Sequence, residues 1–327
     1  MTTFWPQPNP GVKYVRCELP ARALGGTVVD LDHQIRSYDD HLEGVEAGAS
    51  VWSLPSNRVR GEAVASAQQH LGPVFVEVDD NYTNWDRVHA AEGWVEGMPD
   101  PDDPFTSSPR LHREIVTRAD GVIASTPQLA QVYGSLNQNV HVCRNGVDPG
   151  DWPEPSPERE SFRIVFAGAA KNQDLMLIRR AMEWAAKQDG VEAFVFGFDP
   201  KWRGVKVLPW LNDVSLYRAT LVGIKPDVGL RPLETTAFSK GKSDLKILEY
   251  SMAGAMSIVQ PWDPYLGWRE SDLVKFAYDA KDWEQQVKWA VKHQDEVRDI
   301  AARVRAQVIE TRGLDTIKAE WEAALAV

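Results

Sequence analysis

The stretch Pro226–Pro261, PDVGLRPLETTAFSKGKSDLKILEYSMAGAMSIVQP, reads as strand, loop, helix and strand, and its reading decides the fold. Asp227 to Leu230 is a short run of the kind buried in a parallel sheet, and Arg231 to Gly241 holds Pro, Thr, Ser and Gly without helical periodicity. A helix is expected from Ser243, whose hydroxyl suits the free amides of a first turn. Leu245, Ile247, Leu248 and Met252 form its apolar stripe, and Gly254 suits a left-handed exit. On that helix Lys242, Lys246 and Glu249 recur at three- or four-residue intervals and share one face at the amino end, where backbone N–H groups favour an anion. Two ammonium groups beside a helix start suit a diphosphate, and a carboxylate one turn deeper suits the vicinal hydroxyls of a ribose. The alternative is a solvated charged helix face.

Working outward, the second half opens with SFRIVFAGAAKNQDLMLIRRAMEWAAK, a buried strand, a small-residue turn and an amphipathic helix. Gly168, Ala169 and Ala170 permit close backbone approach by a phosphate, and Lys171 adds charge at the same turn; plain strand–helix packing explains the same glycine. Further strands are read at Glu192–Phe196, Val205–Leu208 and Val274–Tyr278, with helices from Asp213 to about Val222 and from about Lys281, Asp295 and Leu314. The first half alternates in the same way. Strands are expected at Lys13–Cys17, Thr27–Leu31, Ser50–Leu54, Val74–Val78, Gly121–Ala124 and Val140–Cys143, and helices at Arg58–His70, Pro109–Ala119 and from Thr126 to about Leu136. Asp79 and Asp80 follow the strand VFVEV, and ligands of open parallel sheets sit beyond such strand ends. Trp94–Ser108 is acidic and proline-rich without a period, which predicts a surface loop.

At 327 residues the chain is long for one core, and the acidic, proline-rich Pro149–Pro157 marks a boundary between domains 1–150 and 151–327. Both are expected to be doubly wound α/β units. No apolar run reaches the length of a membrane helix and the start carries no targeting pattern, so a cytoplasmic protein without a membrane span is expected. Cys17 and Cys143 are too few for a disulfide framework or a zinc site, and the seven histidines show no metal-ligand spacing. The net charge of −11 lies mostly in residues 1–150, with 11 Lys and Arg against 20 Asp and Glu, which disfavours a polyanionic partner.

The apolar strand ending in Pro-Leu, followed by Phe238, Lys242-Ser243, Lys246, Glu249-Tyr250 and Gly254, resembles the donor-site segment of GT-B glycosyltransferases, especially the retaining enzymes of family 4. Ala119–Trp152, ADGVIASTPQLAQVYGSLNQNVHVCRNGVDPGDW, resembles the end of the amino-terminal domain in that family, with Asn145-Gly146-Val147-Asp148 leading into the linker. The resemblance covers about Ala119 to Val327. It implies a GT-B architecture of two Rossmann-like, parallel-sheet domains facing a central cleft, the first on the acceptor side and the second binding the donor, with the last helix crossing back to the first. It further implies a hexosyltransferase that moves sugar from a nucleotide-diphosphate donor to a hydroxyl acceptor, with retention and with neither cofactor nor metal. Donor-binding positions are then Gly168, Ala169, Lys171, Arg231, Lys242, Ser243, Lys246 and Glu249. Lys171, Lys242 and Lys246 stabilise the departing diphosphate, and Trp210 is placed to flank the base, with core or lid packing as its alternative. Asp79 or Asp80 is the candidate base should transfer invert.

Two departures stand out. The family's Glu-x7-Glu motif has its second Glu at Glu249, but its first falls at Gly241, with Glu234 as an alternative carboxylate farther up the loop. The family's glycine-rich first loop is reduced to Gly11, where Arg16 either substitutes or is a surface or salt-bridged residue. Rival readings are a nucleotide-sugar-binding protein without transferase activity, a phage-type transferase acting on a DNA base, and a GT-A enzyme using Asp30-Leu31-Asp32 to hold a metal. The acceptor, whether glycan, protein, small molecule or DNA base, is not encoded in these patterns.

Overall fold

The computed structural model describes residues 1–29, 42, 45–83, 108–168, 172–234 and 236–326. The chain divides into two compact units. The first comprises Met1–Gly146, Gly241–Ser243 and Leu314–Val327, and the second comprises Val147–Lys240 and Asp244–Gly313.

In the first unit, six strands form one sheet in the order β2-β1-β3-β4-β5-β6, every neighbouring pair parallel. They are β1 (Thr3–Trp5), β2 (Thr27–Val28), β3 (Ser50–Ser53), β4 (Val74–Val78), β5 (Gly121–Ala124) and β6 (Val140–Val142). Strands β1, β3, β4 and β5 are buried throughout, as a sheet covered on both faces requires. The strand expected at Lys13–Cys17 is instead helical: α1 (Pro10–Lys13) runs through a π turn at Tyr14–Glu18 into α2 (Leu19–Leu24). Asn9 starts it by accepting from the Gly11 and Val12 amides, and Pro10 supplies a helical φ at the first position. Tyr14, Val15, Arg16 and Cys17 are all buried there, Arg16 in an ion pair with Glu77, so a short run that suits a buried strand belongs to a buried helical turn. The first strand is the short TFW run ahead of it.

Among the described residues of the connections lie helices α3 (Arg58–His70), α4 (Pro109–Arg118) and α5 (Pro127–Tyr133). Each opens on a side-chain cap, from Asn57, Ser108 and Thr126 respectively. The Asp30-Leu31-Asp32 motif and the Trp94–Ser108 loop, Ser108 apart, lie outside the described residues.

The second unit holds a six-stranded parallel sheet in the order β12-β11-β10-β7-β8-β9. Its strands are β7 (Phe162–Ala167), β8 (Val191–Gly197), β9 (Lys206–Pro209), β10 (Val228–Arg231), β11 (Met256–Val259) and β12 (Val274–Phe276). Helices α6 (Asn172–Ala185), α7 (Val214–Gly223), α8 (Ala237–Lys240), α9 (Leu245–Met252), α10 (Asp263–Leu266), α11 (Ala280–Lys292) and α12 (Gln294–Arg312) belong to this unit, whereas α13 (Leu314–Leu325) belongs to the first. Strand order reverses between β7 and β10, the topological switch point at which doubly wound sheets bind ligands.

One side chain clamps that point. The Tyr250 hydroxyl donates to the Leu230 carbonyl at 3.0 Å and accepts from the Ala167 amide at 2.9 Å, tying the carboxyl ends of β10 and β7 together. The ring needs space under β10. A Cβ at Gly229 would sit 2.2 Å from the Tyr250 ring, so glycine is required there. No helix among the described residues is long and apolar enough to cross a membrane.

Candidate functional site

In the second unit the candidate groups gather at the switch point. Gly168 follows β7 with φ +147°, a conformation that favours glycine, and a Cβ there would lie 3.7 Å from Lys246 Cε. Lys246 and Glu249 are one turn apart on α9, as their spacing predicts, and the ammonium meets Glu249 Oε2 at 2.5 Å. Between them stands Tyr217 of α7. Its hydroxyl donates to Glu249 Oε2 at 2.9 Å and accepts from Lys246 Nζ at 3.0 Å. The Tyr217 ring stacks on Phe196 of β8, with centroids 5.1 Å apart. Burial, and then the Glu249 carboxylate, push the Tyr217 phenol well above its ordinary pKa, so it stays protonated.

Arg231 ends β10. Burial acts to lower its pKa, but the Tyr265 hydroxyl and the Asp174 carboxylate outweigh that and keep it a cation. Trp210 is half exposed, its indole N–H donating to Asn212 Oδ1 at 2.7 Å, so it is a surface aromatic and not a core residue. Glu234 is exposed, with its amide donating to Asp174 Oδ1 at 2.5 Å.

The start of α9 differs from expectation. The helix begins at Leu245 after Asp244, and Asp244 makes no side-chain cap. Its carboxylate is occupied by Arg312 at 2.6 Å and by the Trp268 indole N–H at 3.0 Å. Lys242 and Ser243 therefore precede the helix, and Lys242 does not share a helical face with Lys246 and Glu249. The i,i+4 reading fails here because helical spacing applies only where the backbone is helical.

Gly241–Ser243 belongs to the first unit, where each of its three residues is held at the carboxyl end of a different strand. Thr126, after β5, donates its hydroxyl to the Gly241 carbonyl at 3.2 Å. Asp80, after β4, accepts from Lys242 Nζ at 2.5 Å. Asn145, after β6, donates its amide to Ser243 Oγ at 2.7 Å. The same Asn145 accepts from Arg16 Nη1 at 3.0 Å, while Arg16 Nε meets Glu77 Oε1 at 2.6 Å. Both members of that pair are fully buried, with Ser53 Oγ donating to the other Glu77 oxygen at 2.7 Å. Of the two readings of Arg16, the salt-bridged one holds.

Asp79 sits among these charges. Burial first, then the Asp80 and Glu77 carboxylates, raise its pKa to about 8 against the opposing pull of Lys242 and Arg16. Gln7, across the β1–β3 switch point, reaches Asp79 Oδ1 at 3.4 Å and Ser53 Oγ at 3.5 Å. Beneath the segment after β4, the Tyr133 hydroxyl lies 3.0 Å from His112 Nε2 and 3.3 Å from the Asp80 carbonyl. Burial pushes His112 down to about 4, so this ring is neutral.

The sequence-predicted residues thus fall into two groups. Gly168, Lys246, Glu249 and Arg231 lie in the second unit. Asp79, Asp80, Lys242 and Ser243 lie in the first. Ala169 and Lys171 lie outside the described residues. The contacts of Tyr217, Thr126 and Asn145 are not expected from sequence; Thr126 carries a signal in its place before Pro127 at a helix start and Asn145 in the Asn-Gly-Val-Asp motif, and Tyr217 carries none. Among the described residues, no group of three or more His, Cys, Asp or Glu is arranged to hold a metal ion.

No protein-family model matches the chain, and no curated protein matches it. Solved structures do. A variant of S. aureus TarM, in complex with fondaparinux, α-GlcNAc-glycerol and UDP, superposes with a TM-score of 0.59 at 11% identity over 89% of this chain; the chain spans 58% of TarM's length. Anabaena HepE in complex with UDP and glucose superposes with a TM-score of 0.69 at 11% identity, over 99% of both chains. A trehalose-6-phosphate synthase, described for glycosyltransfer with retention, gives a TM-score of 0.61 at 10% identity over 88% of this chain and 76% of its own. With its two parallel six-stranded sheets and flanking helices, the chain has the GT-B fold of these glycosyltransferases.

Proposed function

We propose that this protein is a glycosyltransferase that moves a sugar from a nucleotide-diphosphate donor to a hydroxyl acceptor. The observation that carries the reading is the Lys246–Tyr217–Glu249 group beside Gly168, at the switch point of a parallel sheet in a GT-B chain. A cation and a hydroxyl-accepting carboxylate a few ångströms apart match the diphosphate and ribose of one ligand.

In the proposed reaction the anomeric C–O bond to the donor breaks, its electron pair leaves on the diphosphate, and the acceptor oxygen forms the new bond. Lys246 stabilises the charge that grows on the diphosphate, with Lys242 and Lys171 as further cations and Glu249 holding the ribose. Arg231 and Ser243 complete the proposed donor contacts. In this scheme lysine charge does the work that a metal does elsewhere. Retention is proposed, with the departing phosphate taking the acceptor's proton. Asp79, with its pKa raised to about 8, is mostly protonated at neutral pH, so the inverting alternative would run through its ionised fraction. Asp80 is already committed to Lys242.

Titration of the purified protein with uridine, guanosine and adenosine diphosphates and their sugars tests the reading. Saturable binding of one nucleotide, with slow hydrolysis of the matching sugar donor, is the expected result; no binding across the panel would refute it. Gly241, where the family motif has a carboxylate, favours one second reading, a nucleotide-sugar-binding protein. Binding without any hydrolysis or transfer would establish that instead.

A further inference from the structure

Tyr217 has no counterpart in the spacing pattern that marks Lys246 and Glu249, yet it is the residue that ties them together. The Lys246 ammonium has three protons. One goes to Tyr217 Oη at 3.0 Å and one to Glu249 Oε2 at 2.5 Å, and among the described residues the third has no acceptor. Glu249 is used just as unevenly. Oε2 accepts from both Tyr217 and Lys246, and among the described residues Oε1 accepts from nothing. The phenol thus donates once and accepts once, leaving one ammonium proton and one carboxylate oxygen for a ligand.

The hydroxyl is itself held from behind. Its ring stacks on Phe196 with planes 28° apart, and the Lys246 ammonium lies 5.1 Å from the ring centroid, within cation–π range. Phe196 is buried in the strand next to β7, which delivers Gly168. The aromatic pair therefore fixes the phenol relative to the sheet, and the phenol fixes two side chains on a helix.

We infer that Tyr217 is the positioning residue of the donor site. It holds the cation and the carboxylate at a fixed separation before ligand arrives, so that the site selects a molecule carrying a diphosphate and sugar hydroxyls together over one carrying either alone. This rests on the proposed donor-site reading. The physical reason is preorganisation: a lysine with four rotatable bonds and a glutamate with three would otherwise be ordered at the ligand's expense.

The test is Tyr217→Phe, which keeps the ring and its stack on Phe196 and removes the hydroxyl alone. Calorimetric titration compares the nucleoside diphosphate that binds the wild type with the matching nucleoside and with inorganic pyrophosphate. The expected result is a loss of about tenfold in affinity for the nucleoside diphosphate, the size of one hydrogen bond's contribution, and less than threefold for each fragment. In donor-sugar hydrolysis KM rises by the same factor while kcat stays within about twofold. Lys246→Met added to Tyr217→Phe then costs less than it does alone, because the two act as one unit. Unchanged nucleoside-diphosphate affinity in Tyr217→Phe, or equal losses for all three probes, or strict additivity with Lys246→Met, would reduce Tyr217 to packing and overturn this inference while leaving the donor-site reading intact. A wild type that binds no nucleoside diphosphate would overturn both.

Discussion

Lys242 and Lys246 are four residues apart in the chain and live in different kinds of surroundings. Lys246 is held by its own neighbourhood: Glu249 one helical turn away, with Tyr217 completing the group inside the same unit. Lys242 is held by residues remote in sequence. Its partner Asp80 is 162 positions earlier, and the residues on either side of it are bound by Thr126 and Asn145. The Lys246 group needs only a helix and one packed tyrosine. The Lys242 group needs three strand ends of a folded sheet to line up. Damage to the first sheet should therefore weaken Lys242 and leave Lys246 untouched, whereas changes on α9 should act on Lys246 alone.

The largest expected effect lies on the helical side. Lys246→Ala and Glu249→Ala should each lower sugar-donor turnover roughly 10²–10³-fold, the usual cost of removing a group that stabilises a developing charge or orients the substrate. Melting temperature should fall by a few degrees, because both side chains are largely buried and removing one leaves the other without its opposite charge. Steady-state rates with the donor identified by titration, read beside a melting curve, check both halves. Full activity in either variant would remove the switch-point site from the reaction.

That asymmetry also explains what could be read in advance. The Lys246–Glu249 pair follows from a three-residue interval on an amphipathic helix, and the parallel sheets follow from alternating apolar runs and helical stripes. Val74–Val78 and Arg58–His70 lie where those patterns put them. Lys13–Cys17 is helical because so short an apolar run does not distinguish a buried strand from a buried helix, and Tyr14 to Cys17 are all buried. Ser243 looked like a helix cap, but its hydroxyl belongs to Asn145, and the helix opens two residues later with Asp244 bound to Arg312. Tyr217 was hidden for a related reason. Its role depends on which helix packs beside α9, a fact of topology that no local interval carries.

Asp80→Asn is the next largest perturbation and acts on the sheet side. It leaves a partly buried ammonium without its carboxylate and should cost about 2 kcal/mol, or roughly 5 °C in melting temperature. Lys242→Met in the same background should restore part of that loss by removing a charge that has lost its Asp80 partner, and the two single changes should not add. Equal and additive losses would mean that the pair contributes nothing as a pair.

Asp79 should respond in the opposite direction. Its folded pKa, about 8, lies above the ordinary carboxyl value of 3.8, so between those limits the native state holds a proton that the unfolded chain has lost. Its contribution to stability is complete at low pH and disappears as pH rises towards 8. Asp79→Asn should accordingly melt higher than the wild type by about 3 °C at pH 8 and by little at pH 4. The same pair of curves sharpens the chemistry. If the donor's phosphate takes the acceptor proton, turnover should pass through pH 8 without a step assignable to Asp79; a rise there that Asp79→Asn abolishes would make Asp79 the base.

The smallest expected effect probes the hydroxyl that serves both the first sheet and the Lys242 segment. Thr126 Oγ1 accepts from the Leu129 amide at 3.2 Å, capping α5, and donates to the Gly241 carbonyl at 3.2 Å. Thr126→Val keeps the shape and removes both bonds, which should cost about 1 kcal/mol for the lost cap. It should also weaken nucleoside-diphosphate binding by about threefold, because the segment that carries Lys242, a proposed donor contact, would lose its hold at Gly241. Thr126→Ser keeps the hydroxyl and should match the wild type in both measurements. The discriminating comparison is therefore Val against Ser, with Tyr217→Phe as the control from the helical side. Thr126→Val should leave the Lys246 group as it was, so its small binding loss should add to that of Tyr217→Phe within experimental error. A loss that vanishes in the Tyr217→Phe background would mean that the two lysines act as one device, and the separation between a sheet-held and a helix-held cation would fail.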